Sequence, residues 1–549
     1  MIPFTQSVLR ALVLLTLACP ARPSAAGKGE APGTALPART GLPVKVWVTF
    51  TDKGPASASL ARGSIAYEDL SVHAPYVAAL GARGLVPDVR LKWQNRVSGY
   101  VDADSIAAIR GLSFVASVTL MPRKAKLPPP PASPFPWKPG ALAKRAAEGL
   151  DYGAGRALME SLRVDKVHAY MTASGMPPGK GVRVAVIDAD FHLGSPIFAA
   201  MKGRIKDQYD FVAGKPGAVT DSLLSSHGAQ CMSLIGGNFP GTLVGAAPEA
   251  DFLLYRAEED EQERYVEEDF VAAAIERAVD SGAQVISVSL GYRYDFTDGS
   301  PDRPYAEFDG RTRPSSLAAL GAARRNVLVS VAMGNESGNE PPTPTLNAPA
   351  DADSILAVGI ADRLRRRCSY SCTGPSADGR VKPDVMSMGV VGDCQVPVAN
   401  TSSPLAETRA IGGTSFAAPV LAGVAALLRQ LRPELTAEEI RQAIITTADH
   451  RSRPDSLVGN GLADAAAAAR KLQVPINPPL SETGLARLYH SGGESPIVLG
   501  WDPGRPKPAL QLIDLSGRRI PVTVRASGAV LVVAPEHSLR TGIYIARVH

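Results

Sequence analysis

Apolar positions fall into three regimes along this chain. Between residues 44 and 122 short runs alternate in kind. VKVWVTFT (44–51) is β-branched and aromatic, HAPYVAALGARG (73–84) has helical spacing, and VRLKWQNRVSGYVD (89–102) reads as one long strand. ADSIAAIRGL (103–112) reads as a second short helix and FVASVTLMP (114–122) as a further strand. Strands interleaved with two helices predict a small α+β module over 27–122. LPPPPASPFPWKPG (127–140) then breaks regular structure, because proline has no backbone N–H to donate, and marks 123–150 as a linker.

From Gly181 the pattern changes. GVRVAVID, AQVISVSL and NVLVSVAM are continuous apolar runs, whereas VAAAIERAVDSG and SLAALGAARR between them have helical periodicity. Strands apolar on both faces, alternating with helices, predict an α/β domain over 151–472: a parallel sheet with helices on both faces. Sites in such folds lie beyond the carboxyl ends of the strands, which directs attention to Asp188, Ser289 and Asn335. From about Asn477 the alternation returns in ALQLIDLSGR, IPVTVRASG, AVLVVAPE and GIYIARVH, predicting a small β domain over 477–549.

Composition narrows the function classes. The 549 residues are 45% hydrophobic and 20% charged, enough for a large core, and the net charge of +5 is spread without a basic stripe, which argues against a nucleic-acid partner. At the start, MIPFTQSVLRALVLLTLACPARPSAAG has Arg10 before a short apolar core and a small-residue exit, so 1–26 is expected to be a signal peptide and the mature protein extracellular or at the cell surface. No later segment reads as a membrane helix. Cys231, Cys368, Cys372 and Cys394 follow; export permits a disulfide from Cys394 to either Cys368 or Cys372, and free buried thiols are the alternative.

The candidate chemistry converges on one serine. Ser415 follows Gly412, Gly413 and Thr414 and opens the helical run FAAPVLAGVAALLRQL. Free N–H groups at a helix start favour developing negative charge, but a serine hydroxyl still needs a base to attack a carbonyl. His227 in SSHGAQCMSLIGG is the candidate base, Asp188 at the end of VAVID the candidate orienting carboxylate, and Asn335 in MGNES the candidate oxyanion donor.

VAVIDAD, SSHGAQCMS, MGNE and GTSFAAP, in that order, resemble the aspartate, histidine, asparagine and serine motifs of subtilisin-like serine peptidases. LVGAAPEADFLLYRAE, NAPADADSILAVGI and SYSCTGPSADGRVKPDVMSMG extend the resemblance over roughly 150–472. It implies an endopeptidase acting on protein or peptide substrates through Asp188, His227 and Ser415, with Asn335 and the Ser415 N–H as oxyanion hole. Ser289, Leu290 and Gly291 on one side and Ala332, Met333 and Gly334 on the other are then the substrate-binding candidates. No cofactor is required for that chemistry. Asp295, Asp298, Asp302 and Asp309 are the oxygen candidates for a structural calcium of the kind family members bind, the alternative and favoured reading being a solvated loop. The module over 27–122 resembles a propeptide, an intramolecular inhibitor cut in the loop near Lys144 and Arg145. LIDLSGR and TGIYIARV resemble the sorting domain of proteins exported by type IX secretion machinery.

Two departures from the family pattern stand out, beside a thiol, Cys231, at the position it has in the cysteine-containing branch of the family. Ala189 and Asp190 follow Asp188 where the family has Ser or Thr and then Gly, so a second carboxylate stands near the triad, expected to turn outward. Ala229 and Gln230 replace Thr and His after the histidine motif, with an expected effect on substrate contacts. Cys231 stands one helical turn beyond His227, either as a catalytic thiol or as a buried structural one. Altered neighbours of this kind also define a competing reading, a catalytically silent binding module.

Overall fold

The computed structural model describes residues 43–121, 150–219, 226–259, 262–337, 344–392, 394–476 and, towards the C-terminus, 485–493, 496–500, 510–514, 518–527 and 530–548. The expected signal peptide and most of the Pro-rich linker, including Lys144 and Arg145, lie outside them.

In the N-terminal module, β1 (Val44–Phe50), α1 (Ile65–Asp69), α2 (Ala74–Gly81), β2 (Val86–Leu91), β3 (Arg96–Val101), α3 (Ile106–Arg110) and β4 (Val115–Leu120) form an antiparallel sheet in the order β2-β3-β1-β4. The run expected to be one long strand is a hairpin, because Asn95 takes a left-handed φ of 49° and turns the chain between β2 and β3. Val46, Val48, Leu80, Val97 and Ile109 close a core of their own.

Next come α4 (Arg156–Ser161), α5 (Val164–Ala173), β5 (Arg183–Asp188), β6 (Ile205–Asp210) and β7 (Lys215–Pro216), then α6 (His227–Gly236), a short ribbon of β8 (Asn238–Phe239) and β9 (Leu243–Val244), and β10 (Asp251–Arg256). They are followed by α7 (Tyr265–Asp280), β11 (Val285–Val288), α8 (Pro314–Arg324), β12 (Leu328–Ala332), β13 (Leu356–Ala361) and β14 (Val385–Met388). The central sheet runs β14-β13-β12-β11-β5-β10-β6-β7 and is parallel except for β7. Val184 and Val186 of β5 and Phe252 and Leu254 of β10 enter one core; Ala185, Ile187, Leu253 and Tyr255 enter the other. That period of two with both faces apolar is why the strands read as unbroken hydrophobic runs. Each fully buried Val, Leu, Ile or Phe side chain among them contributes roughly 1.5–3 kcal/mol relative to exposure.

One face of the sheet is covered by α6 and by α9 (Ala418–Leu431), which follows the hairpin of β15 (Gln395–Ala399) and β16 (Thr408–Gly412). By length and composition Thr414–Leu431 is apolar enough to cross a membrane, contrary to the sequence expectation, but 89% of it is buried inside the protein. It is a core helix. The helices α10 (Ala437–Thr447) and α11 (Ala465–Lys471) close this side. The other face is covered by α7 and α8, and the outer surface of those helices carries the N-terminal module. Trp47 Nε1 donates to Asp269 at 2.8 Å, the backbone N–H groups of Lys92 and Trp93 donate to Glu276 at 2.9 and 3.0 Å, and Arg325 pairs with Glu68 at 3.1 Å.

The C-terminal strands are β17 (Leu485–Gly493), β18 (Ile497–Gly500), β19 (Leu510–Asp514), β20 (Arg519–Ile520), β21 (Val522–Ser527), β22 (Val530–Pro535) and β23 (Leu539–Val548). They form two antiparallel sheets, β17-β23-β19-β20 and β18-β22-β21, around Leu499, Leu512, Leu531 and Val533.

Candidate active site

β5 ends on Asp188, whose side chain is fully buried between β11 and β10. Its Oδ1 accepts the Ala189 N–H at 2.8 Å and faces His227 Nδ1 at 2.5 Å. His227 is the first residue of α6, and Gly228 lets that helix start so close to the strand end. A Cβ on Gly228 would stand 3.0 Å from Asp188 Cβ, the Asp190 carbonyl oxygen and the Phe191 ring. Because Nδ1 gives its hydrogen to a carboxylate, neutral His227 keeps Nε2 as an acceptor. Burial disfavours the charged imidazole, but Asp188 outweighs it and holds the His227 pKa well above its ordinary value.

The nucleophile candidate is placed by a different device. Gly413 has φ 144°, a conformation only glycine adopts easily, and delivers the chain into a tight turn, Thr414–Phe416, ahead of α9. Cys368 is disulfide-bonded to Cys394, which resolves the open pairing and leaves Cys231 and Cys372 as free, buried thiols. The bridge holds Tyr370 under the turn, where its hydroxyl accepts the Gly413 N–H at 3.0 Å and donates to the Cys394 carbonyl at 2.7 Å. Burial pushes the Tyr370 pKa up to about 12, so this hydroxyl keeps the proton it donates.

Ser415 is 8% exposed, and its Oγ donates to the Ser289 carbonyl at 3.2 Å. Its own carbonyl accepts from Ser289 Oγ at 2.8 Å and from Cys231 Sγ at 3.3 Å. His227 Nδ1 is engaged by Asp188 in this state, while the Ser415 hydroxyl is engaged by the Ser289 carbonyl.

Asn335 lies past the end of β12, beyond Gly334 at φ 103°. Its Oδ1 accepts the Thr414 N–H at 2.8 Å. A backbone donor there fixes which end of the amide is oxygen, so Nδ2 is the end presented beside Gly413, 3.8 Å from where a Cβ would stand. Thr414 Oγ1 accepts the Gly334 N–H at 3.1 Å, locking the turn to the β12 end. Sequence reasoning gave Thr414 a part in presenting Ser415 but missed Tyr370, because nothing in its local pattern differs from an ordinary loop.

The expected substrate-binding residues divide. Ser289 contacts Ser415 directly. Gly291 and Gly334 both back onto Asn347: a Cβ on Gly291 would meet Asn347 Cβ at 2.9 Å, and one on Gly334 would meet its Nδ2 at 2.6 Å. Ala332 is buried at the end of β12. Leu290 and Met333, by contrast, turn their side chains into the α7/α8 core and are 4% and 0% exposed, so they do not line the cleft with side chains. The reason is the period-two alternation, which points the residue after a central strand back into a core.

The departures also resolve. Asp190 does not turn outward but forms an ion pair with Arg256, which also holds Asp210 at 3.2 Å, so its charge is compensated. Gln230 is 6% exposed inside α6 and bonds back to Ser226 Oγ at 3.3 Å, so it offers substrate nothing. Cys231 lies beneath the imidazole, its Sγ 3.9 Å from Nδ1, and burial pushes its thiol up to about 11, which keeps it protonated and non-nucleophilic. The acidic loop is organised by hydrogen bonds of its own carboxylates. Asp298 gives its two oxygens to the N–H groups of Tyr265 and Ser300 at 3.1 and 2.9 Å, and one Asp309 oxygen takes those of Arg311 and Thr312 at 2.8 Å.

A buried carboxylate bonded to a histidine, facing a serine at a helix start beyond the carboxyl end of a parallel sheet, defines a subtilisin-like serine peptidase. The chain belongs to the subtilase family: the family model, Peptidase_S8, matches residues 179–461. Among curated relatives, Mycosin-1 of Mycobacterium tuberculosis is 28% identical over 378 residues, covering 61% of this chain and 77% of that protein. Subtilisin E of Bacillus subtilis is 28% identical over 332 residues, covering 60% and 74%. Among solved structures, fervidolysin from Fervidobacterium pennivorans, described as a keratinolytic enzyme related to subtilisin, matches 92% of this chain and 69% of its own with a TM-score of 0.53 at 19% identity, a likeness of fold. The protein is therefore a serine endopeptidase that hydrolyses peptide bonds.

Proposed function

We propose that Asp188, His227 and Ser415 carry this hydrolysis, in a secreted enzyme made as a zymogen. With a peptide in the cleft, Ser415 Oγ gives its proton to His227 Nε2 and attacks the carbonyl carbon. Asp188 keeps the proton on Nδ1 and stabilises the imidazolium, while Asn335 Nδ2 and the Ser415 N–H take the oxyanion. His227 then protonates the leaving amine, and water, activated by the same base, hydrolyses the acyl-enzyme. The observation that carries this reading is the 2.5 Å Asp188–His227 contact beside a serine turn clamped to Asn335.

The zymogen reading is supported by the module over 27–122, whose Trp47, Lys92 and Trp93 bond to α7. Export is supported by the apolar N-terminal segment and by the Cys368–Cys394 bond, which belongs in an oxidising compartment. In the same reading the C-terminal β domain addresses the protein to a secretion machinery of the type IX kind. Labelling with a fluorophosphonate, followed by peptide mapping, tests the catalytic core of the proposal. Modification at Ser415, absent from Ser415→Ala, is the expected result; an unlabelled processed protein would point to the silent binding module.

A further inference from the structure

The oxyanion donor stands outside the sheet that carries it. The sheet holds this segment as far as Met333, whose N–H donates to the Val358 carbonyl at 3.1 Å, two residues before Asn335. Beyond that point the chain is held one N–H at a time. Gly334 donates to Thr414 Oγ1 at 3.1 Å, Asn335 to Glu336 Oε2 at 2.8 Å, Glu336 to Cys372 Sγ at 3.3 Å and Ser337 to the Tyr370 carbonyl at 3.2 Å. The two bonds that flank the Asn335 Cα therefore run through one pair of side chains, Glu336 and Cys372.

Those two side chains also meet each other. Cys372 Sγ donates to Glu336 Oε2 at 3.3 Å, and Asn347 Nδ2 donates to the same oxygen at 2.8 Å. Glu336 is an exposed residue, but these two donors are buried, Cys372 at 0% and Asn347 at 3% exposure. A buried donor left unpaired is costly, so both hold the carboxylate against the turn. Burial, then the Glu336 charge, push the Cys372 thiol up, so it keeps the hydrogen it donates. Gly334 makes room for the fold-back, since a Cβ there would stand 2.7 Å from Glu336 Oε2, and its carbonyl accepts the Cys372 N–H at 3.0 Å. One oxygen atom thus ties the end of β12 to the segments of Asn347 and Cys372. With three donors on it, that oxygen serves the protein rather than a substrate.

Resting on the catalytic reading above, we infer that Glu336 and Cys372 are positioning residues for the oxyanion hole, fixing the Asn335 backbone so that Nδ2 meets the developing oxyanion. Thr414 fixes the same side chain from its other end, through Oδ1. An oxyanion donor acts over a narrow range of distance, so a small drift of the Asn335 backbone weakens the transition state and leaves substrate binding almost untouched.

The test is a double-mutant cycle in the purified enzyme, with competent sites counted at the end point of fluorophosphonate labelling and with fluorogenic peptides carrying Arg, Leu, Phe or Glu before the scissile bond. Glu336→Ala is expected to lower kcat by about tenfold with KM nearly unchanged, and by one common factor for every peptide. Glu336→Gln, which keeps an acceptor oxygen and loses only the charge, is expected to recover most of that loss. Cys372→Ala should act like Glu336→Ala by a smaller factor, and it carries the cycle if Glu336→Ala yields no competent sites. In an Asn335→Ala chain either substitution should change kcat by less than about twofold, because the donor they aim is gone. An unchanged kcat in Glu336→Ala, the full loss repeated in the Asn335→Ala chain, or a loss confined to one class of peptide would overturn the inference. If Asn335→Ala alone leaves kcat at the parent value, the oxyanion-hole reading fails first, which separates that failure from a failure of positioning.

Discussion

The two faces of the central sheet are built on opposite principles. Beneath α6 and α9 the interior is apolar and fitted to within a methyl group: a Cβ on Gly423 would stand 2.5 Å from Ala246 Cβ. On the α7 and α8 side the outer helix surface buries four carboxylates in one stretch, Glu267, Glu268, Asp269 and Glu276, at 0 to 5% exposure. Glu267 and Glu268 are held from within the domain by Arg264 and Arg313, whereas Asp269 and Glu276 take their donors from the N-terminal module, Trp47 and the Lys92 and Trp93 backbone. The first surface cannot be opened without exposing a core. At Asp269 and Glu276 the second would exchange protein donors for water if its cover left, as the proposed zymogen requires. The reacting groups stand on the face that never opens.

That contrast can be broken or sharpened by experiment. Ser415→Ala should lower turnover by about a millionfold while leaving the melting temperature near the parent value, since the hydroxyl supports no packing. Kinetics beside calorimetry check both halves. Asn335→Ala should lower kcat by about a hundred- to a thousandfold with a much smaller change in KM, because its amide acts on the transition state. A larger stability loss than rate loss would move Asn335 from chemistry to scaffold.

Gly423→Val attacks the permanent face. It should cost about 1–3 kcal/mol of stability by overpacking against Ala246, visible as a lower Tm, without altering the module's protection from proteolysis. The converse is Trp47→Ala, placed in a Ser415→Ala chain that cannot cut itself. It should leave the peptidase domain's melting unchanged and make residues 44–121 more susceptible to added protease, because Asp269 loses its donor inside a buried contact.

The smallest effect expected is one of pH. Burial pushes Glu276 up to about 7 against an ordinary 4.5, although the Trp93 and Lys92 N–H groups work the other way. The docked state therefore binds this proton more tightly than the free one. The contribution to docking is fully present below about pH 4.5 and is lost as pH rises through 7. Protease susceptibility of residues 44–121 should increase over that window, and Glu276→Gln should flatten the slope. A slope that survives the substitution would place the titrating group elsewhere.

Much of the architecture was legible in the pattern of apolar residues. The β5, β11 and β12 runs and the helices between them were visible because strands buried on both faces are built mainly of apolar residues, with only the small Ser287 and Ser330 interrupting β11 and β12. Four reacting candidates were visible because glycines and strand ends mark them. The β2–β3 hairpin was not, since a single Asn in a left-handed turn leaves the surrounding β-like composition unchanged. Nor was the inward turn of Leu290 and Met333, or the Asp190–Arg256 pair, whose partner stands 66 residues away in the chain.

By itself the sequence determined the order of elements, the parallel sheet and the identity of a nucleophile, a base, a carboxylate and an amide, because periodicity and local turn chemistry are properties of neighbouring residues. Only the tertiary structure decided which cysteine closes the bridge, that Tyr370 holds the serine turn, and that Cys231 is a buried support for the imidazole. Those outcomes depend on contacts between residues far apart in the chain, and burial and charge act through space with no trace in the local pattern.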